Sequence, residues 1–254
     1  MINLLKKFLL IFYYIRPKLF GIGYNQYKIT IIKKIIKKKF FKVKSYIDER
    51  IVEIPWVINS LRSKKGRLLD VGCSLNHDYI INELNNFNKI HFLNLYREKN
   101  KFSDKAVIYK IENICHNSYS SNYFDVITCI STLEHIGYDN SIYNLNNYNF
   151  DTRKTNFFLA IKEIKRILKP KGFFFFSVPF GKSMNFKNLH QFNYKEILNL
   201  KNFFLPSRFS FKFFKYKNFS WKEVSKNDCS DIKPIFNNDT VISANSVVLV
   251  EFIK

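Results

Sequence analysis

Acidic residues are absent from the first 44 positions, which hold twelve Lys and Arg; the remaining positions carry 30 basic against 20 acidic residues, so the formal net charge of +22 is weighted to one end. Long apolar runs are absent too. The run Phe8–Ile15 is eight residues, far below the roughly 20 that a membrane-crossing helix needs. Lys6-Lys7 and that run are followed by Arg16-Pro17-Lys18 rather than by small residues, which argues against a cleaved secretory leader. Cysteine is limited to four residues without a CxxC pair, which excludes a disulfide framework and points away from structural zinc, toward a reducing cytoplasm. Glycine is scarce, and the Gly-containing turn after the first strand candidate has Gly72 but no G-x-G-x-x-G. That argues against a nicotinamide enzyme, whose three glycines let backbone and helix approach a pyrophosphate.

What is present suits one substantial core with an appendage: 254 residues, 46% of them apolar and 24% charged. The excess of Lys, Asn, Ile and Phe is also what an A/T-rich coding sequence produces, so charge outside the N-terminus is a weak pointer to nucleic acid. Within the basic segment, Ile29, Ile32, Ile36 and Phe40 recur at helical spacing while Lys34, Lys37 and Lys38 point away from the stripe. Two readings follow, a helix lying on anionic lipid or a helix packed on the domain with its lysines in water.

Further along, Arg67–Gly72, Ile90–Leu95, Ala106–Ile111, Phe124–Ile130 and Phe173–Val178 read as five strands, with a helix expected over Asn76–Leu84. Phe157, Phe158, Ile161, Ile164 and Leu168 have helical period ahead of Pro170. Phe209–Tyr216 and Val247–Phe252 are late strand candidates. The expected fold class is α/β, a Rossmann-like doubly wound seven-stranded sheet. Its expected domains are a basic N-terminal extension over 1–45 and a main domain over 46–254.

Three segments occur in order, Leu68-Leu69-Asp70-Val71-Gly72-Cys73-Ser74, Phe124-Asp125-Val126-Ile127-Thr128-Cys129-Ile130 and Leu168-Lys169-Pro170-Lys171-Gly172-Phe173-Phe174. Together they resemble a class I S-adenosylmethionine-dependent methyltransferase of the type 11-like group. The resemblance implies strand order 3-2-1-4-5-7-6 with strand 7 antiparallel, and S-adenosyl-L-methionine as cofactor. It places Asp70, Gly72, Ser74, Asn94, Asn113 and Ile130 around that cofactor. The family's D-x-G-x-G-x-G turn becomes Asp70-Val71-Gly72-Cys73-Ser74-Leu75-Asn76, where Ser74 is small and Asn76 tolerates a left-handed backbone. Asn94 stands where the family has an acid for the ribose hydroxyls, and a neutral amide grips them less well. Asn113 stands where the family often has Asp near the adenine amino group, with Glu112 beside it. Asp70 has a second reading, capping the turn through backbone N–H groups.

Ser131-Thr132-Leu133-Glu134-His135-Ile136-Gly137 follows the fourth strand directly. His is the side chain best poised to take a proton near neutral pH. His135 is therefore the expected general base, with Glu134 orienting its ring or contacting the cofactor; the alternative is that the pair starts and caps a helix. Pro179 and Phe180 are expected to wall the acceptor pocket, with His190 and Tyr194 reaching its polar groups. Trp221 reads as a core residue or a stacking platform. The Asn/Asp-Pro-Pro-aromatic run of base-methylating DNA enzymes is absent, which counts against a nucleic-acid substrate.

The stretch Asp48–Trp56, the Gly72–Asn76 turn and Ser243–Val248 resemble a microbial group associated with surface polysaccharide synthesis. That resemblance covers about residues 46 to 254. The expected function is O-methylation of a sugar or glycan precursor in the cytoplasm, peripheral to the inner membrane face if residues 1–45 dock there. No metal is expected. The rival readings are a degenerate binding module at the membrane surface and an RNA methyltransferase using the basic arm.

Overall fold

A computed structural model describes residues 24–38, 48–96, 98, 107–139, 156–186, 188–218, 220–232 and 244–254. Phe8–Ile15, Phe40, Ala106, Phe219 and Ser243 lie outside these residues. Helices α1 (Tyr24–Lys38) and α2 (Arg50–Leu61) precede β1 (Gly66–Val71), β2 (Phe87–Asn94), β3 (Val107–Ile111) and β4 (Phe124–Ile130). Helix α3 (Asn156–Ile167), β5 (Leu168–Pro179), the short β6 (Met184–Asn185) and β7 (His190–Gln191), and α4 (Tyr194–Phe204) follow. The chain ends with β8 (Arg208–Lys217), β9 (Ser220–Val224) and β10 (Ser246–Ile253).

The main sheet runs β3-β2-β1-β4-β5-β10-β8-β9. Its first five strands are parallel, and β10 enters antiparallel between β5 and β8. This is the expected 3-2-1-4-5-7-6 order with one strand added, because β8 turns back on itself to pair with β9. Trp221, on that extra strand, is buried against Tyr216 at 5.7 Å and belongs to the core.

The Phe173-Phe174-Phe175-Phe176 run shows why the sheet is covered on both sides. Side chains alternate along a strand, so Phe173 and Phe175 join the cluster that includes α1 and α2, while Phe174 and Phe176 join the cluster that includes α3 and α4. Ala160, Ile161, Ile164 and Ile167 give α3 its buried stripe. Asn193 and Glu196 form a capping box that starts α4.

Helix α1 packs on the domain through one face. Ile32, Ile35 and Ile36 are buried in the α2 cluster while Lys33, Lys34 and Lys37 are exposed. Arg62 Nη2 donates to the Ile36 carbonyl at 3.1 Å, and Lys28 pairs with Asp48 at 2.8 Å. No helix among the described residues is long and apolar enough to cross a membrane.

Two local expectations are corrected. The helix over Asn76–Leu84 is replaced by turns and one 3₁₀ turn at Ile81–Leu84. This stretch is rich in Asn and Asp, whose side chains compete with helical backbone bonds, and it is held by burial of Leu75, Ile80 and Leu84. The left-handed residues of the turn are Gly72 (φ 86°) and Cys73 (φ 58°), not Asn76.

Candidate active site

Five parallel strands deliver their carboxyl ends to one rim, and the chain order reverses between β1 and β4. A doubly wound sheet opens a crevice at that place. Here it is a cavity of about 550 Å³. Gly72, Cys73, Ser74, Leu93, Asn94, Leu95, Glu98, Asn113, Ser131, Thr132 and His135 line it from the sheet side, and Lys28, Ile29, Ile32, Arg50 and Ile54 from α1 and α2. The basic segment at the start of the chain therefore contributes a wall of the site.

The β1 turn is built by hydrogen bonds that use up its polar side chains. Asp70 is fully buried, accepting from the Leu75 N–H at 2.7 Å and the Thr128 hydroxyl at 2.7 Å. Burial pushes its pKa up to about 7 against the opposing pull of those bonds. Asp70 caps the turn and does not line the cavity. Gly72 passes so close to the β4 turn that an added Cβ would lie 2.1 Å from Thr132 Oγ1, and its positive φ disfavours other residues as well. Ser74 Oγ donates to the Ile130 carbonyl at 2.8 Å, which also accepts from Thr132 Oγ1 at 3.0 Å and Arg50 Nη1 at 3.3 Å. Ile130 thus serves through its backbone, its side chain being buried.

At the β2 and β3 ends both amide oxygens accept backbone bonds. Asn94 accepts from the Leu95 N–H at 2.9 Å and donates to Glu98 Oε1 at 3.1 Å. Asn113 accepts from the Cys115 N–H at 2.9 Å, capping a 3₁₀ turn. Glu112 accepts from the Ser118 N–H and hydroxyl and pairs with Lys110. Glu98 keeps Oε2 without a hydrogen-bond partner among the described residues. It is the carboxylate that the sequence reading missed, although it is the only acid between Glu83 and Asp104.

His135 lines the cavity, with Nδ1 2.7 Å from the Asn188 carbonyl. A carbonyl only accepts, so neutral His135 carries its proton on Nδ1 and Nε2 is the basic nitrogen. Burial lowers the ring pKa to about 4, outweighing the Asn188 bond. Glu134 does not line the cavity: it is buried, Oε2 has no hydrogen-bond partner among the described residues, and burial raises its pKa well above the ordinary range. It lies in an acidic group with the buried Glu53 and the half-buried Glu49 around Arg50, where Glu53 accepts from Ser131 Oγ at 2.6 Å and Arg50 Nη1 at 3.2 Å.

The four expected acceptor residues lie off the cavity wall. Phe180 is fully buried and packs on Phe213 at 4.9 Å, while Pro179 closes β5 in register with Val247. Tyr194 contacts Phe211 and Phe213. His190 comes nearest, stacking on the cavity residue Tyr138 at 6.4 Å; its Nδ1 meets Asn185 Oδ1 at 2.8 Å and its Nε2 meets Glu196 at 3.1 Å. Tyr138 donates to the same Asn185 oxygen. Among the described residues no group of side chains could hold a metal ion.

The family described as a methyltransferase domain matches residues 44–212. The chain belongs to that family. The matched span contains the β1 turn, the β4 turn and Arg50, so this methyltransferase domain includes most of the cavity wall while α1 adds to it from outside. The domain is similar to an uncharacterized protein of Methanocaldococcus jannaschii, MJ0638, at 28% identity over 223 residues, covering 76% of this chain and 84% of that one. Among solved structures it is similar in fold to the N-methyltransferase NodS of Bradyrhizobium japonicum in complex with S-adenosyl-L-homocysteine. That likeness has a TM-score of 0.51 at 10% identity, covering 88% of this chain and 98% of that one.

Proposed function

We propose that this methyltransferase uses S-adenosylmethionine to methylate a hydroxyl of a sugar or glycan precursor, with His135 as general base. The observation that carries the reading is the Asn188 carbonyl 2.7 Å from His135 Nδ1 on a ring that lines the cavity, because it fixes the tautomer in which Nε2 is the basic nitrogen. The residues suit the cofactor: Glu98 offers an acceptor oxygen to a ribose, Leu95 and Ile114 are apolar neighbours for a purine, and the Gly72 turn lets a chain of atoms pass close. When bound, S-adenosylmethionine supplies an electrophilic methyl group on a sulfonium. Around the acceptor, His135 takes the hydroxyl proton while Tyr138 and Asn156 offer hydrogen-bonding groups. His77 and Tyr79, stacked at 5.2 Å, present rings on which the C–H face of a sugar can lie.

His135→Gln is expected to lower turnover by roughly 10²- to 10⁴-fold while S-adenosylhomocysteine still binds in calorimetry. A ring held neutral down to about pH 4 remains a proton acceptor through the mildly acidic range, so the acid limb of the rate profile should fall near pH 4 rather than near 6.5. Unchanged turnover in the variant would remove His135 from the chemistry.

A further inference from the structure

Helix α1 divides its residues between two surroundings. Lys28, Ile29 and Ile32 line the cavity, whereas Thr30, Lys33, Lys34 and Lys37 recur at helical spacing on the side exposed to water. Lys33, Lys34 and Lys37 form no ion pair among the described residues. Lys33 Nζ stands 6.0 Å from the ring centre of Tyr79, which itself lines the cavity, so the basic stripe borders the rim of the site. Nearby acids are committed to other cations, Asp48 to Lys28 and Glu83 to Arg62. Arg62 also donates to the Ile36 carbonyl at 3.1 Å, so the lysines are presented from a helix that is held on the domain.

The charge is local to this part of the chain. The first 44 positions hold twelve Lys and Arg and no acid, against 30 basic and 20 acidic residues in the rest. A drift toward Lys codons adds cations but does not by itself strip the acids from one segment. Phe8–Ile15, outside the described residues, adds an apolar run between Lys6-Lys7 and Arg16-Pro17-Lys18. Basic residues alone suit any polyanion; joined to an apolar run they suit the boundary between lipid headgroups and acyl chains, where two weak signals together give stable attachment. We propose that the exposed face of α1 docks on an anionic bilayer surface, with Lys33, Lys34 and Lys37 toward the headgroups. Because the other face of the same helix lines the cavity, docking holds the site beside the leaflet, where a lipid-carried acceptor would present its sugar. That last consequence rests on the glycan-precursor reading above; the docking does not.

The test is flotation of the full chain with vesicles, read without cofactor or acceptor. Vesicles with phosphatidylglycerol as about a third of their lipid should carry the protein, vesicles of phosphatidylcholine alone should not, and salt near about 1 M should release most of it. Lys33→Gln, Lys34→Gln and Lys37→Gln together should lower the partition coefficient on the order of 100-fold with Tm unchanged, and Arg at the same three positions should preserve it. Failure to bind the anionic vesicles, equal binding to both kinds, or unchanged partition of the triple variant overturns the proposal. A chain that binds single-stranded RNA but not the vesicles overturns it in favour of a nucleic-acid surface. Should the triple variant fail to fold, the charge reversal Lys34→Glu decides by the same readout. Failure of S-adenosylhomocysteine to bind would remove the proposed function and leave every one of these outcomes standing.

Discussion

At the β2–β3 end of the cavity, the side-chain oxygens of Asn94 and Asn113 accept backbone N–H bonds close by in sequence, and the acid with an uncommitted oxygen among the described residues, Glu98, stands four residues past the strand. At the β1–β4 end, Ser74 and Thr132 donate to backbone and Asp70 accepts from a backbone N–H and the Thr128 hydroxyl, and the group with unused donors among the described residues, Arg50, comes from a helix outside the strand order. In both places the strand-edge residues shape the turns, and a side chain from beyond the edge faces the lumen. The two ends differ in how they are held. The β1–β4 turns touch through Gly72, whereas Glu98 is tied to the β2 end through Asn94.

That difference ranks the substitutions. Gly72→Ala should have the largest effect on folding, about 2–4 kcal/mol from positive-φ strain and collision with Thr132, read by denaturant unfolding. Thr132→Ala in the same chain should recover part of it. A neutral Gly72→Ala would mean that the two turns are not rigidly opposed. At the other end, Glu98→Gln should weaken S-adenosylhomocysteine about tenfold, with a smaller loss for Asn94→Ala. The reverse order in calorimetry would return the ribose grip to the strand end.

The smallest effect concerns Glu134, buried behind the β1–β4 end. Its folded pKa lies above its unfolded one, so the unfolded chain gains by ionising as pH rises past about 4.5 and wild-type stability falls accordingly. Glu134→Gln should therefore leave Tm unchanged near pH 4 and raise it progressively at higher pH, by about 2–4 °C for each kcal/mol recovered. A variant that loses stability at pH 8 would show that the carboxylate is needed in its charged form.

Much of the fold was legible because strand edges announce themselves. Phe124–Ile130 runs as a strand over the expected residues, and the Asp70 and Gly72 turn lies where its composition places it. Arg50 had no local signal, since its partner carbonyl at Ile130 is 80 residues away. Phe180 misleads by position: it follows a strand end, yet its N–H donates to the Ser246 carbonyl and its own carbonyl accepts from Ser246 Oγ, so the ring turns into the core. The missing helix after β1 is a contest between Asn-rich local preference and apolar periodicity, which the periodicity alone does not reveal.

The most direct measurement is a calorimetric titration of the full chain with S-adenosylhomocysteine. Saturable one-to-one binding is the result predicted from the lining that Glu98, Gly72 and Arg50 share; no heat and no thermal stabilisation at millimolar ligand would contradict it.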